Sequence, residues 1–125
     1  MEATELITTL YEALGRRDHE AVAACYHPDA TFSDPVFEDL AGPEVAAMWH
    51  MLCEQGTDLD VTFDNVQADG DSGSATWIAT YSVGPARRRI RNRITSRFTF
   101  EDGLIRSQVD EFDLSAWIRQ AVGWS

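Results

Sequence analysis

The sequence predicts an α+β fold, in which helices come first and an antiparallel sheet follows. Apolar side chains recur every three or four residues through the first third of the chain, which is typical of amphipathic helices. From about residue 58 onward apolar and polar residues alternate, which indicates strands. The turn signals DGDSG, GPAR and EDG separate these alternating segments. At 125 residues the chain is expected to form a single domain, 1–125, around one core.

The first two helices are predicted from an apolar stripe and from their end signals. The first is expected to end near Gly15. Its apolar stripe comprises Leu6, Ile7, Leu10, Tyr11 and Leu14. Asp18 is a good N-cap for a second helix, which we expect to continue through Tyr26. His27-Pro28 then ends that helix, because the residue before a proline is disfavoured in the helical region.

A short strand and two more helices are predicted around the sheet. The strand covers ATFSD (30–34) and stops at Pro35. The third helix runs from about Pro43 to Gln55, since proline suits the first helical position and Gly56 follows as an exit. The last helix is predicted at Leu114–Val122.

Four long strands follow from the alternation of apolar and polar residues. They are expected at 59–67, 74–83, 89–100 and 104–113, with the last two forming a hairpin. If the sheet curls around the helices, its concave face forms a cavity of mixed polarity. Strand parity places Ser96 and Asp110 in this cavity, with Trp77 and Tyr81 from the second long strand.

The opposite face of the sheet is expected to be flat and half polar. It comprises Thr76, Ile78, Thr80, Thr95 and Arg97. Such a face suits packing against a second copy of the chain, so the sequence predicts a homodimer that associates through the sheet face.

The net charge of −11 limits the partners that the protein can attract. This field repels nucleic acid and anionic membranes, so neither is expected as a partner. No apolar run approaches the ~20 residues that span a bilayer. The acidic N-terminus is unlike a signal peptide, so we expect a cytoplasmic protein. The basic segment RRRIRNR (87–93) is interpreted as a solvated hairpin end and edge strand, the alternatives being an anion site or a contact to carboxylates of a second copy.

The cysteines and histidines do not predict a metal site. Cys25 and Cys53 lie in predicted helices beside apolar neighbours and are expected to be buried free thiols. The three histidines lack metal-ligand spacing, so no metal or other cofactor is expected. His27 is expected to cap its helix and His50 to lie at the surface. Asp29 is expected to accept backbone N–H bonds where the second helix hands over to the first strand.

Two segments resemble a known superfamily. YEALGRRDHEAVAACYHPDATFSDPVF (11–37) resembles the opening of the SnoaL-like polyketide cyclases and ketosteroid isomerases, and DGLIRSQVDEFD (102–113) resembles their C-terminal hairpin. The order of helices and strands also resembles nuclear transport factor two and its relatives. The resemblance implies a cone-shaped, curved antiparallel or mixed β-sheet wrapped around three N-terminal helices, an α+β roll of the nuclear transport factor two-like or cystatin-like kind. It also implies a cavity for a small molecule.

The ketosteroid isomerase resemblance implies a role for Asp34. Asp34-Pro35-Val36 matches the D-P-V motif whose aspartate moves a proton alpha to a carbonyl in those enzymes. Leu10 and Ser96 stand where the isomerases carry a tyrosine and a protonated aspartic acid. Tyr11 is one residue further on, which corresponds to about 100° around a helix.

The cyclase resemblance implies a role for Asp110. It matches the acid/base aspartate of the last strand in SnoaL-like cyclases, and Ser96 stands at the position of the assisting histidine. Both aspartates also have structural interpretations. Asp34 can bond backbone amides in a proline-containing turn, and Asp110 can pair with Arg106, four residues before it on the same strand face.

The residues and the resemblance together favour a cofactor-free enzyme of the isomerase, cyclase or dehydratase kind. It would transfer protons on an apolar metabolite that bears a carbonyl or hydroxyl group, with Asp34 as base and Asp110 as a second acid/base or orienting group. The predicted substrate contacts are Ser96, Tyr26, Trp49, Trp77, Phe98 and Tyr81. The alternative is a non-catalytic module that binds a hydrophobic ligand in the same cone. A third interpretation is a structural dimer whose cone is filled by side chains.

Overall fold

The computed structural model describes residues 1–123. The elements in chain order are α1 (Ala3–Gly15), α2 (His19–Ala23), β1 (Tyr26–Ser33), β2 (Leu40–Ala41), α3 (Pro43–Gln55), β3 (Asp60–Asp69), β4 (Ser72–Val83), β5 (Arg88–Glu101), β6 (Leu104–Glu111) and α4 (Leu114–Val122). The strands form one sheet in the order β2-β1-β6-β5-β4-β3. Strands β1 and β6 are parallel, and the other neighbours are antiparallel. This curved mixed sheet with its helices confirms the predicted α+β fold.

Strands β4 and β5 form the longest pair in the sheet and position much of the site. Their register runs from Ser72 opposite Thr99 to Val83 opposite Arg88. Because side chains alternate between the two faces of a strand, the inner face carries mostly apolar groups that close the core against α1 and α3. Buried members of that inner face are Ala75, Trp77, Ala79, Ile90, Ile94 and Phe98.

The N-terminal helices differ from the expectation at one place. Helix α2 is capped by Asp18, whose Oδ1 accepts the Ala21 N–H at 3.1 Å, as the sequence predicts. It nevertheless ends at Ala23, and Tyr26 begins β1 instead of continuing the helix. The reason is tertiary pairing, because Tyr26 lies opposite Ile105 of β6 in the parallel pair. The predicted strand 30–34 therefore starts too late, and the two-residue strand β2 was too short to predict.

The two cysteines are buried free thiols, as expected. Cys25 lies between α2 and β1 rather than in a helix, and Cys53 lies in α3. Burial raises the pKa of the Cys25 thiol to about 11. Burial also raises the pKa of Cys53. Both thiols are therefore protonated near neutral pH and are poor nucleophiles.

The basic segment contributes Arg87 to the turn between β4 and β5, and its other residues begin β5. The expectation of an edge strand is wrong, because β5 pairs with β4 on one side and with β6 on the other. Arg89 Nη1 lies 2.9 Å and Arg87 Nη2 lies 3.4 Å from Asp58 Oδ2. Ser82 donates to the same carboxylate from its hydroxyl at 2.5 Å and from its backbone N–H at 3.0 Å. These hydrogen bonds from Ser82, more than the arginines, hold the pKa of Asp58 below its usual value. One carboxylate thus ties this exposed hairpin end to the loop before β3.

No helix within residues 1–123 is long and apolar enough to cross a membrane.

On the outer face of the sheet, Thr76 lies opposite Thr95 and Ile78 lies opposite Arg93. Arg97 on this face pairs with Glu111. The homodimer expected through this face stays a prediction.

Candidate active site

A cavity of about 530 Å³ opens between α3, the inner face of β4 and β5, the loop after β1, and α4. Its wall is mostly apolar, with Met48 and Leu52 from α3 and Ile94 from β5 among the lining residues. Trp117 of α4 closes one side and donates its indole N–H to the Tyr81 hydroxyl at 2.7 Å. The cone is therefore not filled by side chains, which argues against the interpretation as a purely structural dimer.

Ser96 lies behind this cavity at the centre of a hydrogen-bond network. It is fully buried on β5, directly opposite Asp110 on β6. Its Oγ accepts the Tyr11 hydroxyl proton at 2.6 Å and the Trp77 indole N–H at 3.0 Å. Because these two donors occupy both lone pairs of the hydroxyl, its own proton is directed to Asp110 Oδ1, at 2.6 Å.

Gln108 gives Asp110 a second hydrogen-bond donor. Its side-chain nitrogen donates to Asp110 Oδ1 at 2.9 Å, and its oxygen accepts the Tyr26 hydroxyl proton at 2.5 Å. Burial raises the pKa of both Tyr26 and Tyr11, so both hydroxyls remain protonated donors. The two donors that reach Asp110, from Ser96 and Gln108, therefore bond the same oxygen, Oδ1.

The other oxygen of Asp110 is free for a ligand. Asp110 is 3% exposed and lines the cavity, and Oδ2 has no hydrogen-bond partner among the described residues. Within residues 1–123, the one fully enclosed side-chain polar atom without a partner is Trp49 Nε1. Asp110 Oδ2 is not enclosed in that way, so it reaches the cavity.

The surroundings of Asp110 favour its neutral form. Burial raises the pKa of this carboxyl to about 7, the hydrogen bonds from Ser96 and Gln108 oppose that rise, and the negative charge of Asp34 adds to it. Since Oδ1 already accepts two hydrogen bonds, the proton of the neutral acid belongs on Oδ2. Asp110 is thereby arranged as a proton donor to the cavity at pH values up to about 7.

Asp34 has both a structural contact and a free oxygen. Its Oδ1 accepts the backbone N–H groups of Val36 and Phe37, each at 2.7 Å, and its own N–H donates to the Phe37 carbonyl at 2.8 Å. The structural interpretation as a turn-forming carboxylate is therefore confirmed. Asp34 nevertheless lines the cavity, and its Oδ2 makes no hydrogen bond with the described residues.

The predicted site residues fall into two layers. Asp34, Asp110, Trp49, Trp77 and Tyr81 line the cavity. Tyr26, Ser96 and Phe98 are absent from its wall and lie behind it. Tyr26 and Ser96 act through the hydrogen-bond network, whereas Phe98 packs against Tyr11 with ring centroids 6.4 Å apart. The catalytic and substrate-binding roles of these residues stay predictions.

Tyr11 belongs to the site although its position is offset by one residue from that of the isomerase tyrosine. Leu10 is wholly buried at the matching position, while the Tyr11 hydroxyl reaches Ser96 across the core. A signal was present in the sequence, because a tyrosine on a buried stripe requires a partner for its hydroxyl. Gln108 was also missed, and its inward position next to Asp110 on the same strand face was the available signal.

Three expected roles near β1 and β6 are wrong, among them that of His27, which lies in β1 and not at the end of α2. Arg106 does not pair with Asp110, because a register shift between Thr99 and Phe100 turns it to the Asp29 carbonyl, to which it donates. Asp29 makes no side-chain hydrogen bond with the described residues. Instead its backbone N–H donates to His27 Nδ1 at 3.0 Å, so the ring of His27 closes this bend.

His27 also lies beside two carboxylates, but the ring is poorly set for a metal. Its Nε2 is 3.2 Å from Glu101 Oε2 and 3.6 Å from Asp102 Oδ2. Because Nδ1 accepts the Asp29 N–H, a neutral ring carries its proton on Nε2, which faces the carboxylates. A metal would need the lone pair of that same nitrogen, so this cluster fits a hydrogen bond from the ring to the carboxylates better than a metal site.

Comparisons with solved structures support the fold. IdmH from Streptomyces antibioticus, a candidate polyketide cyclase, is 19% identical with a TM-score of 0.82 over 98% of this chain and 99% of its own. A protein with a ketosteroid isomerase-like fold from Catenulispora acidiphila is 16% identical with a TM-score of 0.83 over 97% of each chain. An LEH-like epoxide hydrolase from M. tuberculosis is 20% identical with a TM-score of 0.77 over 97% and 92%.

No curated protein matches the sequence significantly. The sequence model described as "SnoaL-like domain" matches residues 7–108. That range contains β1, the long strands β3 to β5 and most of the hydrogen-bond network, including Tyr11, Ser96 and Gln108. The chain therefore belongs to the SnoaL-like domain family.

Proposed function

We propose that the protein is a cofactor-free enzyme that transfers protons to and from an apolar metabolite bearing a carbonyl, hydroxyl or epoxide oxygen. The observation that carries this proposal is the state of Asp110. One of its oxygens is held by Ser96 and Gln108, the other is open to an apolar cavity, and its pKa is raised to about 7. A carboxylic acid of this kind is suited to general acid catalysis near neutral pH.

In the proposed step, Asp110 Oδ2 gives its proton to the oxygen of the bound ligand. The carboxylate of Asp34 takes a proton from the ligand's carbon, or from a water that attacks it, so that one carboxyl loses the proton that the other gains. The raised pKa of Asp110 and the free Oδ2 of Asp34 support this division of roles. Asp34 then releases its proton to solvent and Asp110 takes one from solvent, which restores both groups for the next turnover.

The comparisons support the reaction class without naming the reaction. Neighbours of the same fold include an LEH-like epoxide hydrolase and a candidate polyketide cyclase. Their sequence identities are below 25%, so their reactions are carried to this chain only as candidates. Both reactions require a proton donor to an oxygen atom, which is the role proposed for Asp110.

Two simple probes test the proposal. Deuterium exchange of 2-tetralone in D₂O reports proton transfer alpha to a carbonyl, and hydrolysis of styrene oxide reports acid-assisted epoxide opening. We expect the protein to accelerate at least one of them, and the Asp110→Asn variant to lose that acceleration by roughly 10²-fold or more. The exposed Asp71→Asn serves as a charge-matched control and should leave the rate unchanged.

A binding module without catalysis is the second candidate. It is favoured by the apolar wall and by the use of Asp34 Oδ1 to hold its own loop. Saturable binding of both probes with no acceleration of either would support it and contradict the enzyme proposal.

We also infer that two copies associate through the outer face of the sheet. On this face β5 carries Arg91 and Arg93, while β3, two strands away, carries Asp60 and Asp64. None of these four exposed charges has an ion-pair partner among the described residues. A two-fold axis that runs parallel to β4 in the plane between the two sheets would set the arginines of each copy against the aspartates of the other, which is the self-complementary pattern of an isologous dimer.

A further inference from the structure

Asn92 is a buried polar residue of the cavity wall that the hydrogen-bond network does not use. It lies on β5 opposite Ala79, is 7% exposed, and faces the cavity between the apolar side chains of Ile90 and Ile94. Its side-chain amide makes no hydrogen bond with the described residues. The amide is not enclosed either, since Trp49 Nε1 is the one enclosed orphan atom in residues 1–123. The Asn92 amide is therefore open to whatever fills the cavity.

Two other polar residues of the wall already have side-chain hydrogen-bond partners. The Ser82 hydroxyl donates to Asp58, and the Tyr81 hydroxyl accepts the Trp117 indole N–H. A polar amide in an apolar wall contributes less to stability than an apolar side chain of similar size, because it has exchanged most of its contact with bulk water for apolar neighbours. An unpaired amide in such a wall requires an explanation, and a hydrogen bond to a bound ligand is one.

We propose that Asn92 is a specificity-determining residue that binds a second oxygen function of the substrate. A carboxamide can donate to a carbonyl and both donate to and accept from a hydroxyl. This inference rests on the proposed function, because the first oxygen of the ligand is the one that Asp110 protonates.

The strand geometry gives the spacing of the two oxygen functions. Asn92 and Ser96 lie on the same face of β5, four residues apart, and Ser96 is directly opposite Asp110. Four residues correspond to roughly 13 Å along a strand. Ile94 and Trp77 form the rung between them and both line the cavity. The substrate class is therefore an elongated, largely apolar molecule with an oxygen function near each end.

The first test separates a ligand contact from a structural one by stability. We expect Asn92→Leu to melt at the same temperature as the ligand-free wild-type protein or higher, because it removes an unpaired amide from an apolar wall. Gln108→Leu is the matched control, since Gln108 is equally buried but has partners at both ends of its amide. It should melt several degrees lower. A fall in the melting temperature of Asn92→Leu as large as that of Gln108→Leu would overturn the proposal.

The second test measures recognition with two probes of nearly the same shape. Both probes are 2-tetralones, whose ring carbonyl is available to Asp110. 6-Acetyl-2-tetralone carries a second carbonyl oxygen where 6-isopropenyl-2-tetralone carries a methylene group. The wild-type protein should bind the acetyl ketone roughly tenfold more tightly, corresponding to one hydrogen bond, and Asn92→Leu should lose that preference. In ¹⁵N-labelled wild-type protein, the Asn92 side-chain amide resonances should move with the acetyl ketone and not with the isopropenyl probe.

An unchanged preference in Asn92→Leu, or amide resonances that ignore the ketone, would contradict the assignment of Asn92. Neither test measures turnover. Their failure would therefore leave the role of Asp110 standing, and loss of catalysis in Asp110→Asn says nothing about Asn92.

Discussion

Ser96 Oγ donates to Asp110 Oδ1 at 2.6 Å across neighbouring strands, and this contact determines which oxygen of the acid faces the ligand. Tyr11 and Trp77 fill the acceptor sites of the serine, so its proton has one direction available. A small side chain at position 96 thus does more than leave room. Its hydroxyl accepts hydrogen bonds from Tyr11 of α1 and Trp77 of β4 and donates one to the Asp110 carboxyl of β6.

Replacing Ser96 by alanine should raise the pKa of Asp110 above about 7, because the serine hydrogen bond opposes the effect of burial. The variant should also lose on the order of 2 kcal/mol of unfolding free energy, since the Tyr11 hydroxyl and the Trp77 indole N–H lose their acceptor. Carboxyl ¹³C titration and urea unfolding measure the two effects. Thr95→Ala, on the exposed face of the same strand, is the control and should change stability by less than about 0.5 kcal/mol. A lowered pKa in Ser96→Ala would contradict the direction of the hydrogen bond.

Replacing Asp34 by asparagine should lower the pKa of Asp110, because the negative charge of Asp34 contributes to its rise. The loop should survive, since the asparagine Oδ1 can still accept the N–H groups of Val36 and Phe37. Asp34→Ala removes these acceptors and should cost about 1–2 kcal/mol of stability. An Asp110 pKa that does not respond to Asp34→Asn would show that the two carboxyls do not interact.

Stability should fall as the pH rises from about 4 to about 7. The folded protein holds the Asp110 proton up to about pH 7, whereas the unfolded chain releases it near 3.8, so each increase in pH within this window favours unfolding. The full contribution of this one group is on the order of 4 kcal/mol. Comparing unfolding free energies of wild type and Asp110→Asn isolates it from the other carboxyls. If the difference between the two proteins stays constant across this window, Asp110 does not titrate there.

The outer face should support a salt-sensitive dimer. Arg91→Glu together with Arg93→Glu should shift the protein to monomer in analytical ultracentrifugation, because the arginines would no longer face aspartates. Adding Asp60→Arg and Asp64→Arg should restore association, because β3 would then carry the positive charges and β5 the negative ones. Reversal of Arg16, which is exposed at the end of α1, is the control. A wild-type monomer at low salt, or a dimer indifferent to all these reversals, would rule out this interface.

The periodic spacing of apolar residues along the sequence predicted most of the helices and long strands. The bounds of α3 agree with the proline and glycine signals at its ends, those of α4 agree with the predicted range, and the long strands follow the alternation of residues. The length of α2 could not be predicted in this way. The helix ends early because Tyr26 pairs with Ile105 of β6, nearly eighty residues later in the chain.

The site was predictable in its carboxylates and less so in their surroundings. Asp34 and Asp110 carried motif matches, but the contact between Tyr11 and Ser96 joins residues 85 positions apart. The bulge that removes Arg106 from Asp110 has no signal in the strand pattern. Asn92 was grouped with the arginines of RRRIRNR, although its register with Ile90 and Ile94 places it on the inner face.

The central claim is that Asp110 is a neutral acid directed into the cavity near pH 7, and its own titration tests this claim most directly. The carboxyl ¹³C resonance of Asp110, assigned by its loss in Asp110→Asn, should titrate with a midpoint near pH 7 in the ligand-free protein. A midpoint near 4, the value of an ordinary exposed aspartate, would contradict the account.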